Sequence, residues 1–346
     1  MGSNSIFGVI AVTIFFGLIA SSLNERDRRA EEAAYGYIKY TTAREIARSA
    51  INIALKRVSE DVSLSYINGS LDGGSYTVSW TRKDSIMQLI SVAHFSDTTY
   101  RIQTRLFVYP KPFPRHNAAV ALHVDTLGNF ALNPGKGGTK VMIDGRNYDS
   151  SGTTWSWDGA VPGVAVLNST DSLLATKPSD TGKIYGTEDV VVDPIMPDPD
   201  EFIDQYIANA DRILLADSLR TQTVISGGTW GTADNPEITF IDAIDPAHQV
   251  KINGNTSGWG ILVMRGNVWF NGGLEFHGLV ILYDDTQIDF DDLGNAKIIG
   301  SLLMGGPTGS TFEMNGNGKI LYSSDALRDA QYIGKLLAYR ILDWYE

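Results

Sequence analysis

"SIFGVIAVTIFFGLIASSLNERDRR" runs from Ser5 to Arg29 and decides the architecture of the chain. Ile6 to Leu23 is a run of 18 residues without a charge. As an α-helix it rises about 27 Å, close to the thickness of the bilayer core. A secretory signal peptide has a basic n-region, a shorter apolar core and a small-residue cleavage site. Here no Lys or Arg precedes the run, although Ala20-Ser21-Ser22 imitates such a cleavage site. In a membrane span, Arg26, Arg28 and Arg29 would hold everything after them in the cytoplasm. A basic leader once preceding Met1 and since removed resolves that conflict, and Glu25 and Asp27 among the arginines weaken it.

The helical pattern does not stop at Leu23. Between Glu25 and Val58 there is no proline, and Gly36 is the only glycine. Ala30, Ala33/Ala34, Tyr37, Ala43, Ile46/Ala47, Ala50, Ala54 and Val58 recur at helical spacing. Arg44, Glu45, Arg48, Lys56 and Arg57 lie mostly off that face. The spacing predicts one helix over residues 1–59, continuous for about 50 residues and roughly 80 Å long. It is apolar all round over residues 6–23 and amphipathic beyond. A membrane anchor with a stalk helix has this pattern.

The next stretch, residues 60–110, reads as an antiparallel meander. "GGSYTVSWTRKD" (Gly73 to Asp84), "SIMQLISVAHFSD" (Ser85 to Asp97) and "TTYRIQTRLFVYP" (Thr98 to Pro110) alternate apolar and polar residues. Tyr76, Val78 and Trp80 share one face, as do Tyr100, Ile102, Thr104, Leu106 and Val108, with turns at Lys83-Asp84 and Ser96-Asp97. A helix packed on such a sheet is an α+β layer. "YPKPFPRH" (Tyr109 to His116) carries three prolines and marks a domain boundary.

Residues 111–346 have a different texture. "GILVMRG" (Gly260 to Gly266), "GLVILYD" (Gly278 to Asp284) and "GSLLMGG" (Gly300 to Gly306) recur 18 and 22 residues apart. "VWFNGG", "IDFDD" and "FEMNG" lie between them, with "LEFHG", "AKIIG" and "KILYS" as a third set. Three short strands per repeat of about 20 residues predict a parallel β-helix or related solenoid with glycine at the corners. A β-sandwich is the alternative. A helical insert is expected at 197–220 ("PDPDEFIDQYIANADRILLADSLR"), with proline at its start. An amphipathic helix is expected at 325–346 ("DALRDAQYIGKLLAYRILDWYE"), capping the stack or contacting another subunit.

Composition narrows the function classes. The 346-residue chain has net charge −12, which disfavours nucleic acid as primary partner. It has no cysteine, hence no disulfide, thiolate metal site or cysteine nucleophile, and its 35 glycines suit a turn-dense β protein. It lacks a phosphate-binding loop, an HExxH zinc motif, a nucleophile elbow and a dinucleotide fingerprint. The five histidines are scattered, and His277 reads as structural. The one acidic cluster is Asp284, Asp285, Asp289, Asp291 and Asp292. Its carboxylates are oxygen ligands of the kind Ca²⁺ takes, but without EF-hand order; a solvated acidic edge is the alternative. Arg265 is the candidate base if the stack were a polysaccharide lyase. Trp155, Trp157, Trp230, Trp259 and Trp269 are either buried packing or sugar-stacking rings.

A short polar start, an apolar helix, a charged step and an amphipathic helix resemble the N-terminus of type IV pilins and pseudopilins. "YTTAREIARSAINIALKRV" (Tyr40 to Val58) is similar to the second half of that helix in large minor-pilin-like proteins. "VMIDGRNYD" (Val141 to Asp149), "PGVAVLN" (Pro162 to Asn168), "GILVMRGNVWFNGGLEFHGLVIL" (Gly260 to Leu282) and "GNGKILYS" (Gly316 to Ser323) resemble a module of bacterial pilus-assembly-like proteins. The resemblance implies a structural subunit rather than an enzyme, without a resident cofactor. Prepilin peptidase would remove a leader ending in glycine. The helix would wait in the inner membrane and then enter the core of an extracellular filament of like subunits, built by a pilus assembly machinery for adhesion or motility. It assigns the filament core to Ile6, Phe7, Val9, Ile10, Val12, Ile14, Phe15, Phe16, Leu18, Ile19 and Leu23, and the mature N-terminus to Met1 and Ser5. One departure is plain. Many pilins carry glutamate at mature position 5, whereas this chain has Ser5, or Phe7 if cleavage follows Gly2. A monomeric, membrane-anchored surface protein that binds or cleaves polysaccharide is the alternative function, and a minor pseudopilin of a secretion system is a third.

Overall fold

The computed structural model describes residues 3–60, 65–115, 117–134, 141–176, 183–243, 248–271, 273–283, 289–294 and 296–346. A long N-terminal helix and a largely β body make the chain α+β. It divides into two compact units, residues 1–109 with 338–346, and residues 110–337.

The first unit begins with helix α1, Ser3–Glu60, whose 58 residues extend about 87 Å. Four strands follow: β1 (Tyr66–Leu71), β2 (Gly74–Lys83), β3 (Ile86–Phe95) and β4 (Thr98–Pro110). They form an antiparallel meander joined by two-residue turns, with Asp72, Asp84 and Ser96 in the left-handed region. Such turns match the right-handed twist of the strands they join. The first hairpin, turning at Asp72-Gly73, adds a strand ahead of those legible in the sequence.

The alternation of β2, β3 and β4 puts Val78, Leu89, Ile102 and Leu106 on the buried face. The second half of α1 contributes Ala43, Ile46, Ala47, Ala50, Ile51, Ala54 and Val58 to the same core. Burying Ile46 and Ile51 stabilises the layer by about 1.5–3 kcal/mol each. The alanines let helix and sheet approach closely enough for Ser91 Oγ on β3 to donate to the Ala47 carbonyl at 2.9 Å.

The sheet is completed from the far end of the sequence. Residues 325–346 do not form the expected single helix. Ser324–Gln331 is helical, capped by Ser323 Oγ accepting from Ala326 N–H, and Gly334–Leu336 is one turn of 3-10 helix. Leu337–Tyr345 is then a strand paired with β4. Tyr100 on β4 faces Glu346, and Thr104 donates to the Asp343 carbonyl, so the two strands run in opposite directions. Tyr339, Ile341, Trp344 and Tyr345 favour a strand, and β4 otherwise ends the sheet with unpaired backbone groups. These residues therefore belong with the first unit and not with the β region after Pro110.

The second unit is built mainly from parallel strands in register. One ladder runs Arg212–Leu215, Glu237–Asp242, Thr256–Arg265, Leu274–Tyr283, Lys297–Gly306, Lys319–Tyr322, Met142–Asp144 and Ile184–Tyr185. Two shorter parallel ladders contain Gln222–Ser226, Gln249–Asn253 and Asn267–Asn271, and Asp289–Gly294, Thr311–Gly316 and Asn129–Pro134. Like residues stack on like: Val263, Ile281, Leu303, Ala121 and Ala165 occupy one column, and Phe130 stacks on Phe312 at 5.4 Å.

The repeat units differ from the segmentation expected from sequence. "LEFHG" and "LVILY" are one strand, bent at Gly278, rather than two strands. Gly260, Gly278 and Gly300 stand beside one another with φ of +122°, +132° and +143°. A Cβ on Gly278 or Gly300 would collide with the carbonyl oxygen of the preceding glycine in the column. Only glycine satisfies both demands. The expected insert at 197–220 is helical over Asp200–Ala208 alone; Arg212–Leu215 is pulled into the ladder beside Glu237–Asp242. Backbone bonds to a ready-made edge outweigh the weak helical preference of that stretch.

Candidate functional site

The two halves of α1 face different surroundings. From Ala43 onward its apolar face is covered by β2 and β3. Before that, Val9, Ile10, Val12, Ile14, Phe15, Phe16, Leu18, Ile19 and Leu23 are all exposed. Ser5, Ile6 and Phe7 lie in the first turns of the helix, and Met1 lies outside the described residues. Within α1 is a segment long and apolar enough to cross a membrane, and none of it is buried.

The exposed surface extends past the apolar run. Tyr35, Tyr37, Ile38 and Tyr40 are also exposed, Tyr37 at 71%. The sequence pattern placed Ala30, Ala33/Ala34 and Tyr37 on the sheet-facing stripe; the sheet does not reach them. Four large apolar and aromatic side chains within six residues, spread round the helix, are the signal that identifies them.

The changeover is marked by specific contacts. Lys39 Nζ donates to Asp97 in the β3–β4 turn at 2.8 Å and sits 4.4 Å over the Tyr35 ring. The hydrogen bond to Asp97 raises the Lys39 pKa, and the same bond lowers that of Asp97. Tyr40 meets Tyr100 edge-to-face at 5.1 Å. Hydrogen bonding to Tyr40, burial and the nearby Glu346 charge push the Tyr100 hydroxyl up to about 12. Between Leu23 and this point, the charged step is satisfied along the helix by Arg29 to Glu25 at 2.5 Å and Arg28 with Glu32 at 3.7 Å. Exposed pairs of this kind contribute only about 0.3–0.5 kcal/mol each.

The chain end fastens to the covered half. Glu346 accepts from Arg44 Nε at 2.7 Å, Arg48 Nε at 2.8 Å and Trp344 Nε1 at 2.9 Å. Desolvation opposes its ionisation, but the bonds from Arg48, Trp344 and Arg44 prevail and bring the carboxyl down to about 2. Asp343 is likewise held below the usual carboxylate range by the hydrogen bond from Arg105. The last strand is thus tied both to its neighbour β4 and to the helix beneath.

The remaining sequence candidates separate. Asp284 and Asp285 lie outside the described residues; Asp289, Asp291 and Asp292 lie on a strand, opposite Thr311, Glu313 and Met314. Among the described residues, no group of three or more His, Asp or Glu is arranged to hold a metal ion. Arg265 pairs in bidentate fashion with buried Asp242 on the neighbouring strand, Nε to Oδ1 at 2.8 Å. His277 is buried, stacked on Trp259 at 3.9 Å and bonded through Nδ1 to the Ser150 carbonyl. Burial lowers its pKa. Trp230 is buried, whereas Trp155 and Trp157 are exposed.

No protein-family model matches the chain, and no curated protein matches it in sequence. Among solved structures, the competence-associated pilin ComZ from Thermus thermophilus aligns over 88% of this chain and 96% of that one. The TM-score is 0.23 and the identity 9%, a likeness too loose to carry an argument about this chain.

Proposed function

We propose that this chain is a type IV pilin-like structural subunit that polymerises through its N-terminal helix. The supporting observation is the helix itself, bare from Val9 to Ile38 and buried along one face from Ala43. A bilayer covers the segment up to Leu23 but leaves Tyr35, Tyr37 and Ile38 in water. Packing against the helices of neighbouring subunits covers both. The helix then has two successive environments: the inner membrane before assembly and a helical filament of like chains at the cell surface afterwards. Each contact is heterologous, one patch meeting a different patch on the next copy, which is the geometry that propagates. A prepilin peptidase and an assembly machinery are the partners this route requires. The parallel ladders of the second unit form a β-solenoid in this reading, carried once per subunit, and the work is assembly and display rather than catalysis.

Filaments sheared from producing cells and imaged by electron cryo-microscopy test this. The expected result is this chain as the repeating subunit, with α1 in the filament core. Recovery of the chain only from the membrane fraction, never from sheared filaments, would leave it a monomeric anchor.

A further inference from the structure

A short antiparallel hairpin in the second unit presents two tryptophans. Asn147–Tyr148 pairs with Trp155–Ser156, so Tyr148 lies opposite Trp155. Trp155 is 42% exposed and Trp157 60% exposed, and their rings meet edge-to-face at 5.9 Å and 85°. Both are large enough to anchor a core, yet the fold leaves them in solvent while burying Trp230.

The support beneath them is built. Asp144, fully buried, accepts Arg146 Nε at 2.9 Å and Tyr148 OH at 2.7 Å. The guanidinium so fixed lies 3.9 Å from the Trp155 ring centre and covers one face of it. The connecting turn is fixed as well. Asp149 accepts the N–H groups of Ser151, Thr153 and Thr154 at 3.1–3.2 Å, and the Ser151 hydroxyl at 2.7 Å. Those bonds hold its carboxyl well below the usual range. His277 binds the Ser150 carbonyl, and Asn147 Oδ1 accepts the Ser324 N–H at the start of a helix. A surface ordered in advance loses little entropy when a ligand arrives.

We infer that the Trp155–Trp157 hairpin is a binding platform for a neutral glycan. A pyranose offers an apolar C–H face to an aromatic ring and a rim of hydroxyls to polar neighbours. Residues 149–158 match that division: two tryptophans among Ser, Thr, Gly and Asp, with no aliphatic side chain. A protein partner would need a larger apolar core inside such a rim than two rings supply. The local charge selects against acidic sugars, because Arg146 is consumed by Asp144 while Asp149 and Asp158 stand alongside. The chain as a whole is acidic too. The platform deepens the display function proposed above but needs no filament.

Titration calorimetry on the full chain tests it, in a zwitterionic detergent because sugar-headed detergents would compete. The probes are cellohexaose, xylohexaose and N-acetylchitohexaose, with oligogalacturonate as the anionic control. Saturable binding of at least one neutral hexamer is expected, insensitive to added salt and weakened at least tenfold by Trp157→Ala. Trp157→Phe should retain most of it, and circular dichroism should show both variants folded. Absence of neutral-sugar binding at millimolar concentration overturns the inference. So does equal affinity in folded Trp157→Ala, or a salt-sensitive preference for oligogalacturonate. Failure here leaves filament assembly untouched, and loss of filaments leaves this binding intact.

Discussion

The two halves of α1 are one continuous helix with opposite fates. Ile38 and Ile51 are the same residue type on the same element, yet Ile38 is 56% exposed and Ile51 is 0%. Helix geometry already separates them: the two lie about 140° apart round the axis, and Ile38 points away from the stripe that carries Ile51. The meander in turn covers only the second half and stops near Asp97, where Lys39 closes the boundary. An apolar helix segment left bare from Val9 to Leu23, about 22 Å, is a surface that awaits a partner rather than a stable state in water.

That comparison can be broken most directly in the bare half. Tyr37→Asp lies beyond the apolar run, so membrane retention should persist while filament yield falls at least tenfold, scored by shearing and immunoblot. Normal filament yield would show that this stretch is a mere stalk. A smaller effect is expected from the two isoleucines. Ile51→Ala should destabilise the first unit by about 2–5 kcal/mol through lost burial and a residual cavity. Ile38→Ala should stay within about 0.5 kcal/mol, both measured by denaturant unfolding. Equal losses would mean that residue 38 is already packed within the subunit. Ser91→Ala removes the hydroxyl that joins β3 to Ala47 and should cost about 1 kcal/mol.

The smallest effect concerns the chain end. The Glu346 carboxyl lies lower in the folded state, at about 2, than in an unfolded chain, near 4.3. Its contribution is therefore complete above the unfolded value and is lost as pH falls from there toward 2. Glu346→Gln should lower the melting temperature slightly at pH 7, and the gap from the parent should close on acidification. A gap that widens in acid would contradict the Arg44 and Arg48 contacts.

Much of the first unit was legible. The unbroken helix, the meander and its inward faces follow from apolar spacing and from turn residues, because helices and tight hairpins are made of local bonds. The glycine spacing of 260, 278 and 300 announced a repeat, although it concealed that each glycine bends a single strand. The strand at 337–345 was not legible. Leu336/Leu337, Ile341 and Trp344 fit a helical stripe as well as a strand, and a periodicity that admits both is settled by a neighbour. The same applies to Arg212–Leu215. The candidate surface was partly legible: Val9 to Leu23 by composition, but not Tyr35 to Ile38, of which Tyr37 was counted with the covered stripe.

By itself the sequence determined that about the first sixty residues are helical and that the stretches after them alternate. Each of these depends on residues within a few positions of one another. Tertiary structure alone decided where α1 becomes bare, that the last strand returns to β4, and that Trp155 and Trp157 stay in solvent while Trp230 does not. Burial and strand pairing are properties of two surfaces meeting, and the second surface lies far away in the chain.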